Sequence, residues 1–356
     1  MSQTQPNPLA ERLFQSAMAS LDLMTIYLGD QLGLYRALFE GGPATSTELA
    51  GRTGTFERYV REWLEQQAAS GILDVDEPEA EPLARRFRLP PEHVEVLVDE
   101  DSVNYQAHKG VDVVRAARPL PALVEAFRTG AGLPPLPWPP EGRAEFNRAR
   151  FLNLLGREWL PAVAPVHARL SSDPPARVAD LGCGTGWSSI AMVQAYPKIE
   201  VDGFDLDEAA IGRARENASG AGVSDRIRFQ AADAATLQGA GPYDLVTIFE
   251  ALHDMALPVD ALKVARALLA PEGSLVVADE KVGDRFTIPV DERERYAYAW
   301  SVVSCLPSSM GDPASAGTGA VMRPATLQRY ASEAGFRDLQ ALDVEDVEWR
   351  FYRLIP

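Results

Sequence analysis

Asp180, Gly182, Gly184 and Gly186 fall in VADLGCGTGWSS, residues 178–189, where a short apolar run hands a glycine turn to the start of a helix. Such a turn can hold a ligand on its backbone. Glycine lets the main chain approach a guest closely, and the helix start behind it offers unpaired N–H groups and a positive dipole end. Asp205, in GFDLD, comes nineteen residues after Gly186 at the end of the next apolar run. A carboxylate there can accept both ribose hydroxyls of an adenosine ligand. Asp233, in FQAAD, ends a third run and is placed to meet an adenine amino group. Each acid alone could be a solvated strand cap; the ordered set at successive strand ends is specific.

Two phosphate-binding patterns fit poorly. The dinucleotide fingerprint G-x-G-x-x-G needs a third glycine at 187, where the chain has tryptophan, so the spacing is G-x-G-x-G. A P-loop lysine is missing as well. At these residues the chain resembles the class I S-adenosylmethionine-dependent methyltransferases, over about residues 171–356. The resemblance implies S-adenosyl-L-methionine as cofactor and S-adenosyl-L-homocysteine as product. It sets the amino-acid end of the cofactor on the glycine turn with Asp180, the ribose on Asp205 and the adenine near Asp233, with Leu206, Ala234 and Phe249 alongside.

A narrower resemblance covers nearly the whole chain. LGDQLGLYRAL, TGTFERYVREWLEQQAASGIL, FEALHDM, ADEKVGDRF and AGTGAVMRP are together similar to a bacterial group of methyltransferases with an N-terminal winged helix. That group shares its architecture with small-molecule O-methyltransferases that dimerise through the same domain.

Methyl transfer is an in-line displacement at an activated sulfonium, so the protein must align the acceptor and, for a hydroxyl, remove its proton. TIFEALHDM supplies His253 and Asp254 just past the fourth strand. His253 is the leading general base, since imidazole titrates near working pH. Plant-like O-methyltransferases carry a similar LHD stretch but place their catalytic histidine after the fifth strand, where this chain has ADEKVGDRF and no histidine. Glu280, His108, Asn147 and Arg148 are further acceptor-side candidates, His108 as a second base. Tyr27 and Trp300 are candidate pocket walls, because aromatic faces favour a nearby sulfonium. The four histidines, at 93, 108, 167 and 253, show no paired spacing, so metal-independent transfer is expected.

From about residue 171, strand-like runs alternate with helical ones: RVADLG, EVDGFDLD, IRFQAAD, YDLVTIFEA and SLVVADE. That alternation predicts an α/β, Rossmann-like, mainly parallel sheet with the ligand beyond the carboxyl ends of its strands. DLQALDV and EWRFYRLIP predict a closing antiparallel hairpin, for seven strands in all. Domains are expected at 1–88 (helical, winged helix), 89–165 (helical cover and linker) and 166–356 (cofactor binding). In the first, Thr45 and Glu48 have capping-box spacing, and a helix from Phe56 ends before Gly71. Apolar residues on several sides of residues 12–40 predict a homodimer interface. The Pro- and Gly-rich GAGLPPLPWPPEG, residues 130–142, predicts an ordered cover.

A formal charge of −17 disfavours nucleic acid and anionic lipid as partners. The second winged-helix segment exposes Glu57, Arg58, Arg61, Glu62 and Glu65, a net −1 where a DNA reader needs donors and positive charge. Cys183 and Cys305 make no disulfide framework, and the N-terminus shows no signal core, so a cytoplasmic protein is expected. The expected function is methyl transfer to a hydroxyl, amine or carbon of a small, partly apolar molecule. Its rivals are cyclisation or decarboxylation with the same cofactor, and a transcriptional regulator that senses the cofactor.

Overall fold

The computed structural model describes residues 7–134 and 147–356. They form two compact units, one of residues 7–118 with 147–149, the other of 119–134 with 150–356. Residues 89–165, expected as one cover segment, are thus divided between them. Most of the expected cover run itself, from residue 135 on, lies outside the described residues.

The N-terminal unit opens with the helix Pro8–Gln31, started by the Asn7 side chain, which accepts from the Leu9 N–H at 2.9 Å. The helix Ser46–Thr53 begins at the expected capping box, Thr45 with Glu48, and ends at Gly54 in the left-handed region. Glu57–Ala69 follows. The wing is β1 (Asp74–Asp76) paired antiparallel with β2 (Arg86–Arg88), extended by a bridge from Ala44 to Phe87. Leu34, Tyr35, Leu38, Leu49, Val60, Leu64 and Phe87 close the core. Inside it, Gln67 accepts from the Tyr35 hydroxyl and donates to Thr25 Oγ1 at 3.0 Å, while Trp63 Nε1 donates to the Thr25 carbonyl at 2.9 Å. Tyr35, Gln67 and Trp63 thereby keep partners for polar groups that burial strips of water.

The C-terminal unit is built on β3 (Arg177–Leu181), β4 (Glu200–Asp205), β5 (Ile227–Ala231), β6 (Tyr243–Phe249), β7 (Leu269–Glu280), β8 (Asp338–Ala341) and β9 (Trp349–Ile355). Their order is β5-β4-β3-β6-β7-β9-β8. The first five are parallel, and β9 returns antiparallel between β7 and β8. The expected seven strands and closing hairpin are present.

Val178, Val201, Leu245 and Val276 face the helices Trp187–Ala195 and Glu208–Gly220, while Ala179, Leu181, Val246 and Val277 face Pro258–Leu268 and Pro324–Glu333. Burial on both faces is why the strands are almost wholly apolar. The order reverses between β3 and β6, so the crevice opens beyond Leu181, Asp205 and Phe249. Among the described residues no helix is long and apolar enough to cross a membrane.

Within the N-terminal unit, the helix His108–Ala117 crosses Pro8–Gln31 at Gly110, where a Cβ would lie 2.6 Å from the Leu23 carbonyl oxygen and 2.8 Å from the Tyr27 nitrogen. Both obstacles are backbone and cannot rotate away. Gly110→Ala should therefore destabilise this unit by about 1–3 kcal/mol through overpacking. Denaturant unfolding followed on the tryptophan of this unit, Trp63, checks it; an unchanged midpoint would contradict the close crossing.

Candidate cofactor and acceptor site

β3 delivers Asp180 into the core rather than to the crevice. Its carboxylate is 1% exposed and takes three hydroxyl donors: Ser188 at 2.5 Å and Ser189 at 2.7 Å on one oxygen, Thr247 at 2.8 Å on the other. Burial raises its pKa, and the three O–H donors work the other way. The expectation that Asp180 faces the cofactor is corrected in this respect: both oxygens serve the protein's own hydroxyls. It clamps the glycine turn to the helix behind it and to β6.

Gly182, Gly184 and Gly186 all have φ in the left-handed region, at +75°, +52° and +86°. A Cβ on Gly182 would lie 2.5 Å from the Ala251 Cβ, and one on Gly186 2.6 Å from the Phe229 ring, so close packing as well as conformation demands glycine there. Gly184 has nothing within 4 Å of its would-be Cβ. It therefore presents bare main chain to open space. Gly186 caps the helix Trp187–Ala195 with no side-chain hydrogen bond, leaving the positive end of the helix to the crevice.

Asp205 is half-buried at the end of β4. It accepts from the Gly184 N–H at 2.8 Å on one oxygen and from the Asp207 N–H at 2.9 Å on the other. A carboxylate has about four acceptor sites, so about two remain for a ribose diol. Burial raises its pKa, while the two N–H donors lower it. Leu206, 73% exposed, stands beside it. Asp233 is exposed after β5 and accepts from the Ala235 N–H at 2.8 Å; Ala234 is half-buried. Phe249 is buried, its ring 6.0 Å from that of Phe151, and so belongs to the core packing. Bare main chain at Gly184 and spare acceptor capacity at Asp205 suit S-adenosylmethionine, which brings a hydroxyl-bearing ribose and no phosphate.

His253 lies in the short turn Leu252–Asp254 after β6 and is 2% exposed. Its Nδ1 faces the buried Asp279 at 2.7 Å, its Nε2 stands 3.4 Å from Asp254, and the Cys305 thiol also hydrogen-bonds the ring. Burial disfavours the charged ring, but Asp279 and Asp254 outweigh it and hold the pKa well above the usual imidazole range. The ring expected as an ordinary base near neutrality is therefore a paired, buried one. Residue 250, just upstream, has a left-handed φ of +50° without being glycine, a strain that recurs at functional sites. Glu280 and Trp300 are half-buried in the same unit.

Tyr27, His108, Asn147 and Arg148 all belong to the N-terminal unit. Burial depresses the His108 pKa to about 3, which makes it a far weaker base than an ordinary imidazole and speaks against its reading as a second base. Arg148 pairs with Asp101. Asp279 and Cys305, which hold His253, carried no sequence signal; Asp279 precedes the strand-end Glu280 by one residue, and Cys305 closes the π-turn Ser301–Cys305.

Residues 172–317 match the family described as "Methyltransferase domain", and residues 19–99 match the "Rv2258c-like winged HTH domain". The chain carries a methyltransferase domain and is similar to S-adenosylmethionine-dependent methyltransferases. It is 34% identical over 136 residues to the ubiquinone biosynthesis O-methyltransferase of Bordetella avium, a match covering 38% of the chain and about half, 52%, of that relative's length. It is 29% identical over 218 residues to the protein of the same description from Burkholderia pseudomallei, covering 60% of the chain and 81% of the relative. Human N-acetylserotonin methyltransferase, solved with S-adenosylmethionine, matches with a TM-score of 0.67 at 18% identity over 100% of this chain and 99% of that one. The mitomycin 7-O-methyltransferase MmcR matches at 0.63 and 20% identity, over 97% and 98%. At such identities these two likenesses speak for the fold.

Asp205→Ala strips two hydroxyls of a charged acceptor and leaves the Gly184 N–H unpaired. It should cost about 1.5–3 kcal/mol of cofactor affinity, roughly ten- to hundredfold, read by calorimetry. Because the Asp205 pKa is raised, wild-type affinity should fall as pH drops through a range above that of an ordinary carboxylate. Unchanged affinity in Asp205→Ala would contradict the assignment.

Proposed function

We propose that this methyltransferase moves the methyl group of S-adenosylmethionine to a hydroxyl of a small, partly apolar molecule, with an amine or carbon acceptor as the less favoured variants. The sulfonium supplies an activated methyl group; the chain's own residues bind, orient and handle the acceptor's proton. The observation that carries the reading is the pairing of the Gly184–Asp205 cradle with His253, two strand ends apart on the same sheet. Relatives named as O-methyltransferases support oxygen as the accepting atom.

Incubation with methyl-labelled cofactor and host extract, followed by mass spectrometry, tests this. The label should appear on a small molecule. Consumption of cofactor with no labelled acceptor would instead favour cyclisation or decarboxylation. His253 is the acceptor-side residue of this reading, and His253→Ala should lower turnover by about a hundredfold with cofactor binding intact. Near-normal turnover would make the ring purely structural.

A regulatory role through DNA is disfavoured by the helix Glu57–Ala69, whose arginines are spent on its own acids: Arg58 pairs with Glu62 at 2.6 Å and Arg61 with Glu57 at 3.2 Å. The N-terminal unit instead supports a homodimer. The helix Pro8–Gln31 exposes Leu13 at 60%, Phe14 at 60% and Leu21 at 61%, with Met18, Met24 and Leu28 along the same helix. So large an apolar surface marks an association site, and twofold pairing is the commonest closed solution. Light scattering at micromolar protein should give twice the 38.8 kDa chain mass, and Leu13→Glu with Leu21→Glu should shift it to a monomer. A wild-type monomer would refute the dimer.

A further inference from the structure

Three groups from two separate segments converge in the C-terminal unit: the ring of His253, the carboxylate of Asp254 and the thiol of Cys305. One ligand atom of each lies within 4.8 Å of the others. His253 Nε2 and Asp254 Oδ1 are 3.4 Å apart. The edge of a tetrahedron of nitrogen and oxygen ligands around an ion is about 3.3 Å, from bonds of about 2.0–2.1 Å. The two atoms already stand at ligand spacing.

The far side of the ring matches what a metal-bound histidine needs. Nδ1 donates to Asp279 at 2.7 Å, and Asp279 is itself fixed by the Glu280 N–H at 2.9 Å on β7. A carboxylate behind the imidazole sets which nitrogen keeps the proton, leaving Nε2 as the ligand atom and fixing the ring plane. The other Asp279 oxygen is buried without a hydrogen-bond partner among the described residues, so its charge is undiluted beside the ring. Asp254 is exposed, with 47% of its side chain accessible, which gives an ion a way in and a side that stays open. Neutral imidazole, thiolate and carboxylate carry two negative charges, which balance a divalent ion.

We propose that His253, Asp254 and Cys305 hold one divalent ion of the zinc class, with a fourth position open to water or an acceptor oxygen. A mixed nitrogen, sulfur and oxygen set selects zinc or cobalt over magnesium or calcium, which prefer all-oxygen shells. On binding, the Cys305 S–H bond and the Nε2–H bond of the His253 imidazolium break, the sulfur and the nitrogen keep their electron pairs for the ion, and both protons pass to solvent. The site departs from the metal-independent transfer expected from sequence, and it stands whichever acceptor is used.

The test is cobalt(II) titrated into chelator-treated full-length protein with no cofactor present. One ion per chain should bind, with tetrahedral ligand-field bands and a thiolate-to-cobalt charge-transfer band, and zinc should displace it. Cys305→Ser should lose the charge-transfer band. Asp279→Asn, which removes no ligand, should weaken the metal about ten- to hundredfold. Calorimetry with S-adenosylhomocysteine on both variants reports whether they fold. A wild type without the thiolate band, or a Cys305→Ser spectrum identical to it, would overturn the site. Failure to bind S-adenosylhomocysteine would instead count against the cofactor assignment and leave the cobalt result standing.

Discussion

The glycine turn can hold a ligand only because one buried carboxylate holds the turn. Asp180 gathers hydroxyls from the helix Trp187–Ala195 and from β6 onto the end of β3. Hydrogen bonds to a charged acceptor contribute about 1.5–3 kcal/mol each, which offsets part of the cost of burying the carboxylate and leaves its pKa raised. The three glycines then adopt left-handed φ against fixed walls at Ala251 and Phe229, and the central one is left bare. Everything the crevice offers a nucleoside depends on that clamp.

The same device recurs along the carboxyl edge of the sheet with different outlets. At β4, Asp205 accepts one N–H from the turn, at Gly184, and one from Asp207, which leaves about half of its acceptor capacity open. At β7, Asp279 is as buried as Asp180 and spends its charge on His253. Each strand end thus carries an acid, but burial decides whether it faces the guest or orients the group that does. A charge 1% exposed organises its neighbours; a half-buried one can still meet solvent and ligand.

That division explains what the sequence could and could not disclose. The glycine spacing, the acids at 180, 205 and 233, the seven strands and the Thr45–Glu48 box rest on local patterns, and local patterns are written in order along the chain. Facing is another matter. Glu280 was legible as the last residue of its strand, yet Asp279 one place earlier points to His253, because successive side chains leave a strand on opposite faces. The partners of Asp180 come from elements whose packing no spacing records. Cys305 reaches His253 from the π-helical segment Ser301–Cys305, more than fifty residues further along the chain. His108 looked available in a helical run; its burial appears only in three dimensions.

The winged unit and the sheet unit divide the labour. The first spends the arginines of its helix Glu57–Ala69 on ion pairs within that helix and exposes an apolar helix. The second carries the glycine turn and Asp205. We read this turn and carboxylate as shaped for a nucleoside with a free diol and no phosphate. Calorimetry of the wild-type chain with S-adenosylhomocysteine and, separately, with NAD tests it most directly. One S-adenosylhomocysteine should bind per chain, and NAD should give no heat of binding. Saturable NAD binding, or none by S-adenosylhomocysteine, would contradict it.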